Sequence, residues 1–373
     1  MTRRIIRLEV LLLLVILGAA PTADAQELDR RIDTYLAEQV RTHGIPGLTV
    51  AVVRDGEVVY LGAFGVRHLG KDERLTPEHI FHFASVSKPF VATAIMQLVE
   101  QGKLDLDDPV TKSLPYFSLS DERFRDITIR QMLNHTSGMP DVEDYEWDNP
   151  QFDEGAAERY VRAMASERLL WAPGRGWRYS NMAFDALGDV IAKASGKSFE
   201  AYVQTNILEP LGMDNSSFIH PEIDEALRTT GHVGDPPQVS DVYPYNRRHA
   251  PSSTLNSSVA EMARWMLVNL NRGELDGRRI LHAESYDLLW TPTTETSTDG
   301  VQVGLSWHLG EHSGHRTVFH GGRDTGFRSY ILLLPDDGIG IVLASNWDGT
   351  DREILAREIL GLLPASRGVG EVK

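Results

Sequence analysis

The segment Phe83-Ala84-Ser85-Val86-Ser87-Lys88-Pro89-Phe90 organises the reading of this 373-residue chain. If Ser85 opens a helix, Lys88 stands three residues on, over the same face, and an amine is held beside a hydroxyl. Apolar residues then recur at helical spacing (Phe90, Ala94, Ile95, Leu98) until Gly102, which predicts a helix over 85–101. Upstream, a helical pattern over 28–40 is followed by two predicted strands, 48–54 and 57–64, around the hairpin turn Asp55-Gly56. Downstream, helices are expected near 129–133, 158–166, 181–195 and 258–271. The last opens on an expected capping box, Ser258 with Glu261. Strands return at 303–309, 316–320, 327–334 and 339–345, and a helix over 352–362 closes the pattern. Strands at both ends with helices between predict an α+β fold: one antiparallel sheet built from the two termini and flanked by their helices, a mostly helical middle region, and a site in the cleft between them.

Composition narrows the functional classes. Arg3, Arg4 and Arg7 precede an apolar run over 10–17, and Ala23-Asp24-Ala25 follows, so residues 1–25 read as a secretory signal cleaved before Gln26. The run is too short for a comfortable membrane span, and the expected location is secreted or periplasmic. The chain has no cysteine, and stability is expected from the core alone. Net charge is −16, and more negative without the leader, which disfavours nucleic acid and anionic membrane surfaces as partners and leaves small-molecule or peptide substrates. Residues 26–373 read as a single domain, with the sheet region at about 26–84 and 300–365 and the helical region at about 85–299. An acidic, aromatic-laced stretch over 139–158 reads most plainly as a solvated surface loop; the functional alternative is a lid over a site.

Three short motifs carry chemistry. Ser85-x-x-Lys88 suits a serine nucleophile whose proton passes to a lysine kept neutral by burial and neighbouring positive charge, although Ser85 as a simple helix cap is the plainer alternative. The chain's only Tyr-x-Asn, Tyr179-Ser180-Asn181, lies at the end of a turn-rich loop. A tyrosine beside a lysine ammonium can have its pKa lowered enough to shuttle protons, and Asn181 can bind a substrate amide or steady Lys88; a buried tyrosine with an asparagine cap is the bland reading. His320-Gly321-Gly322 follows an apparent strand, and its glycines permit close approach of a substrate backbone. Metal binding through His312, His315 and His320 fits strand periodicity poorly, and neither metal nor cofactor is expected.

The order Ser-x-x-Lys, Tyr-Ser-Asn, His-Gly-Gly resembles the serine hydrolase family of class C β-lactamases, serine D-Ala-D-Ala carboxypeptidases, D-aminopeptidases and related esterases. The resemblance spans about residues 28–363 and is supported by residues 133–138, 209–213 and 263–265. It implies a β-lactamase/transpeptidase-like fold, acylation of Ser85, acid and base work shared by Lys88 and Tyr179, and substrate positioning by Asn181, His320, Gly321 and Gly322. It also implies an oxyanion hole from the backbone N–H groups of Ser85 and Arg323. It assigns no chemistry to residues 135–137, which therefore read as structural. His320 stands where the β-lactamases and carboxypeptidases usually carry lysine, and histidine is mostly neutral near pH 7. The expectation is therefore an esterase or D-amino-acid-type peptidase, with a β-lactamase or D-Ala-D-Ala carboxypeptidase as the alternative. A penicillin-binding sensor that does not turn over is the reading from another class.

Overall fold

The computed structural model describes residues 23–364; the charged and apolar parts of the expected leader, and the tail after 364, lie outside them. Helix α1 (Ala23–His43) leads into strands β1 (Gly47–Arg54) and β2 (Glu57–Gly65). The hairpin between them turns through Asp55 and Gly56, both at positive φ, as the Asp-Gly signal requires. The chain leaves the sheet for α2 (Lys88–Glu100), α3 (Asn181–Ser195) and α4 (Val259–Leu270), with shorter helices between them. It returns through β3 (Thr294–Glu295), β4 (Gln302–Val303), β5 (His308–His312), β6 (His315–Asp324), β7 (Phe327–Leu334) and β8 (Ile339–Ser345), and α5 (Arg352–Leu362) follows. These strands form one antiparallel sheet in the order β2-β1-β8-β7-β6-β5-β4-β3, so the two ends of the chain meet at the β1–β8 pair.

Each central strand buries both faces, and alternation decides which core each side chain joins. Leu48, Val50 and Val52 of β1, with Ile341 and Leu343 of β8, pack beneath Ile32 and Leu36 of α1 and Leu355 and Ile359 of α5. Ala51, Val53, Val342 and Ala344 face the opposite way, towards Trp265 and Met266 of α4 and the helical region beyond. Phe90 of α2 stacks on Trp265 at 3.9 Å between ring centroids, which ties the helix after Ser85 to the helix that covers the sheet. Among the described residues no helix is long and apolar enough to cross a membrane.

Four local expectations are corrected. The predicted strand over 303–309 is interrupted by a tight turn in which the Gly304 N–H bonds to the Trp307 carbonyl and Ser306 adopts φ 74°. Val303, Leu305, Trp307 and Leu309 are still all buried, so periodicity reported burial correctly but not a straight strand. The strand expected over 316–320 runs on to Asp324, which places His320-Gly321-Gly322 inside β6 rather than after it. The Ser258–Glu261 capping box is half formed: Ser258 caps the Glu261 N–H, but the Glu261 carboxylate turns away to Asn215 and Ser216. The middle region also holds three two-stranded ladders, including Phe81–His82 with Asn256–Ser257, beside its helices.

Candidate active site

Ser85 occupies a 3-10 turn (Ser85–Ser87) ahead of α2 rather than the first α-helical turn, and its side chain caps nothing. The residue before it, Ala84, is held at φ 48°, ψ −128°, a conformation costly for any residue with a Cβ. That strain is stored where the chain swings from the short strand Phe81–His82 into the turn that presents the Ser85 hydroxyl. The three-residue spacing does what the sequence suggested: Lys88 Nζ lies 3.1 Å from Ser85 Oγ.

Lys88 is fully buried, and its side-chain nitrogen also reaches Asn181 Oδ1 at 2.6 Å and the Ser252 carbonyl at 2.7 Å. Burial lowers its pKa to about 7, against the opposing pull of Asp141, Asp185 and Asp324. The expected positive neighbour is therefore replaced by three carboxylates, and desolvation alone keeps the amine near neutrality. A neutral lysine has two N–H groups and one lone pair. With both N–H groups committed to the Asn181 and Ser252 oxygens, the lone pair is left for Ser85.

Asn181 steadies Lys88, and Asp141 fixes Asn181. Asp141 Oδ1 accepts from the Asn181 backbone N–H at 2.7 Å and from its Nδ2 at 2.9 Å, which sets the amide with Oδ1 towards the lysine. Sequence reasoning missed Asp141 because it lies in the acidic stretch. The signal available was its place three residues after Gly138, at the end of one of the supporting motifs. The stretch itself divides in two. Glu143, Asp144, Asp148, Asp153 and Glu154 are exposed, as a surface loop requires. Tyr145 lines the cleft, and the Trp147 indole N–H bonds to Asp324 at 3.1 Å. The loop is thus part of the cleft wall.

The Tyr179 ring lies against Lys88, with Nζ 4.8 Å from its centroid. Its pKa is pushed up by burial, with Asp141 and Asp185 adding to the rise and the adjacent Ser85 hydroxyl opposing it. The expected lowering does not occur, because the nearby lysine is itself close to neutral while burial acts in full. Tyr179 rests as a neutral phenol.

The other wall is the end of β6. Strand β5 pairs with β6 only as far as His308 opposite Phe319, so residues from 320 onward have no strand partner on that side. His320 is buried, and burial together with His308 and Lys88 keeps its pKa well below the ordinary value. Its Nδ1 lies 3.0 Å from the Gly321 carbonyl, whereas Nε2 is buried without a partner. The two glycines make room for the protein's own groups. A Cβ on Gly322 would lie 2.2 Å from the Phe83 carbonyl oxygen, and one on Gly321 would lie 2.9 Å from the Arg352 guanidinium. Gly322 therefore lets β6 close on the segment that presents Ser85. Arg323, expected to lend its N–H, lines the same cleft. His315 is exposed and pairs with Asp337, away from His320.

Ser85, Tyr179, Asn181, His320, Gly321 and Arg323 thus share one cleft of about 400 Å³, within the range that holds small ligands. Lys88 lies beneath it. The sheet with its helical cap, and a cleft between them that presents Ser85 above the buried Lys88, define an α+β fold with a serine-lysine pair at its centre.

The particular family follows from comparison. The model of the Beta-lactamase family matches residues 28–363, and the chain belongs to that family. The chain is 29% identical over 328 residues to "Protein flp" of Staphylococcus aureus (strain COL), a match covering 87% of this chain and 64% of that protein, so it spans a little under two thirds of such relatives. It is 34% identical over 234 residues to "Esterase EstB" of Burkholderia gladioli, covering 59% of each. Among solved structures, the octameric penicillin-binding protein homologue from Pyrococcus abyssi superposes with a TM-score of 0.79 at 28% identity, covering 89% of this chain and 76% of that one.

Proposed function

We propose that this protein hydrolyses small esters, and more slowly activated amides, through a Ser85 acyl-enzyme, and that it works outside the cytoplasm after losing residues 1–25. The observation that carries the reading is Lys88 Nζ at 3.1 Å from Ser85 Oγ with a pKa of about 7 and its two N–H groups already engaged. As Ser85 Oγ attacks the acyl carbon, its proton moves to Lys88 Nζ. The oxyanion is received by the Ser85 and Arg323 backbone N–H groups, each such donor contributing about 3 kcal/mol to transition-state stabilisation. The neutral Tyr179 phenol gives its proton to the leaving oxygen or nitrogen and regains one from Lys88. Water then attacks the acyl-enzyme by the same route in reverse. No cofactor takes part. The neutral His320, standing where a lysine would offer a cation, and the similarity to an esterase support the ester preference.

A second reading, a D-Ala-D-Ala-type peptide or β-lactam bearing a carboxylate, is favoured by Arg323, Arg352 and Arg357 on the cleft wall. Side-by-side rates separate the two. The protein should turn over p-nitrophenyl acetate and butyrate at least tenfold faster, in kcat/KM, than nitrocefin, a D-alanine p-nitroanilide or a D-Ala-D-Ala peptide. Faster turnover of either carboxylate-bearing substrate would reverse the order of the two readings, and stoichiometric acylation without product release would favour a sensor.

A further inference from the structure

His135 belongs to the segment to which the sequence assigned no chemistry, yet the structure places it against Tyr179 on three counts. Its imidazole stacks on the Tyr179 ring, with centroids 4.4 Å apart and planes 30° apart. Its Nδ1 accepts the Ser180 backbone N–H at 3.2 Å, and its carbonyl accepts the Arg178 backbone N–H at 2.9 Å. One residue therefore grips the chain on both sides of Tyr179 while backing its ring. His135 is fully buried and is held at φ 60°, a left-handed conformation that a histidine adopts only at a cost. A ring needed only to fill space would not require that backbone, since its carbonyl and imidazole must reach two N–H groups only two residues apart. Because Nδ1 accepts, the proton resides on Nε2, which is buried without a partner. Burial, with Lys88 and His308 nearby, keeps the ring neutral.

We infer that His135 is a positioning residue for the Tyr179 proton shuttle: the neutral imidazole, through Nδ1 and its stacked face, fixes where the phenol meets the leaving group. The inference rests on the acyl-enzyme reading above. A displacement of about 1 Å at a reacting group can cost about a hundredfold in rate, and that is the scale expected when the clasp is removed.

The test uses two substitutions compatible with positive φ. His135→Gly removes ring and acceptor without backbone strain; His135→Asn replaces Nδ1 by an amide oxygen and tolerates the left-handed region. With p-nitrophenyl butyrate, the glycine variant should lose about a hundredfold in kcat with KM changed less than threefold, and the asparagine variant should stay within about tenfold of wild type. In a Tyr179→Phe background, His135→Gly should cost less than threefold more, because the group it positions is already gone. A folded glycine variant with near-wild-type kcat, or a double variant whose losses multiply, would overturn the inference. If the glycine variant does not melt cooperatively, the asparagine variant decides, and a hundredfold loss there contradicts the clasp. A readout independent of turnover is 3-fluorotyrosine at position 179. Its ¹⁹F resonance should shift or broaden in the glycine variant, and an unmoved resonance would sink the clasp even if wild type proved not to be a hydrolase.

Discussion

The two walls of the cleft are built on opposite plans. On the helical wall the groups that surround Ser85 are tied to one another, although His135 Nε2 and Trp177 Nε1 are buried without partners: Lys88 to Asn181 and the Ser252 carbonyl, Asn181 to Asp141, and the backbone on either side of Tyr179 to His135. On the sheet wall Asp324 is held by Trp147, but several other polar groups are left open. His320 Nε2 has no partner, the buried Arg352 Nε has none, and among the described residues neither Arg323 nor Arg357 makes a side-chain hydrogen bond or ion pair. Satisfied groups hold fixed geometry, which proton transfer needs, and open ones await a ligand, which recognition needs. On the acyl-enzyme reading proposed above, the contrast gives chemistry to one wall and substrate choice to the other.

The comparison breaks most visibly at the helical wall. Ser85→Ala should lower kcat for p-nitrophenyl butyrate by about 10⁴-fold or more, since nucleophile and base act as one unit; a residual rate within tenfold of wild type would end the assignment. Next comes Asp141→Ala, which strands two buried Asn181 donors. It should cost about a hundredfold in kcat and about 1–3 kcal/mol in chemical denaturation. Asp141 also raises the Lys88 pKa, so its loss should move the acid limb of kcat/KM to lower pH. For wild type that limb should lie near pH 7. Below it Lys88 is protonated and cannot take the Ser85 proton, so activity rises as pH increases through the lysine pKa, and a limb near pH 4 to 5 would point to a carboxylate base instead. The smallest effects belong to the sheet wall. Arg357→Ala, an exposed change, should leave the melting temperature unchanged and the rate on uncharged esters within about threefold, and raise KM selectively for substrates bearing a carboxylate. An equal loss on both substrate types would place chemistry on the wall assigned to recognition.

What was legible in the sequence was whatever local spacing encodes. Strands 327–334 and 339–345 and the helix over 352–362 appear as read, because continuous apolar runs and a 3.6-residue pattern are local signals. The Ser85–Lys88 pairing is equally local, a matter of three residues. What was not legible depends on contacts distant in the chain. Asp141 gains its role from Asn181, forty residues on, and His135 from Ser180, forty-five residues on. The break at 304–307 arises because Gly304 packs on the Leu289 carbonyl, where a Cβ would lie 2.1 Å away. The direction of the Tyr179 pKa could not be had from a neighbour list alone, since it turns on how deeply the ring is buried.

The most direct test of the central claim is intact-mass analysis of the purified, folded protein after a fluorophosphonate probe, followed by peptide mapping, with the labelling rate taken as a function of pH. The account predicts a single adduct on Ser85, absent from Ser85→Ala, forming faster as pH rises through about 7. A folded protein that takes no adduct, or takes it at another residue such as Ser87, would contradict it.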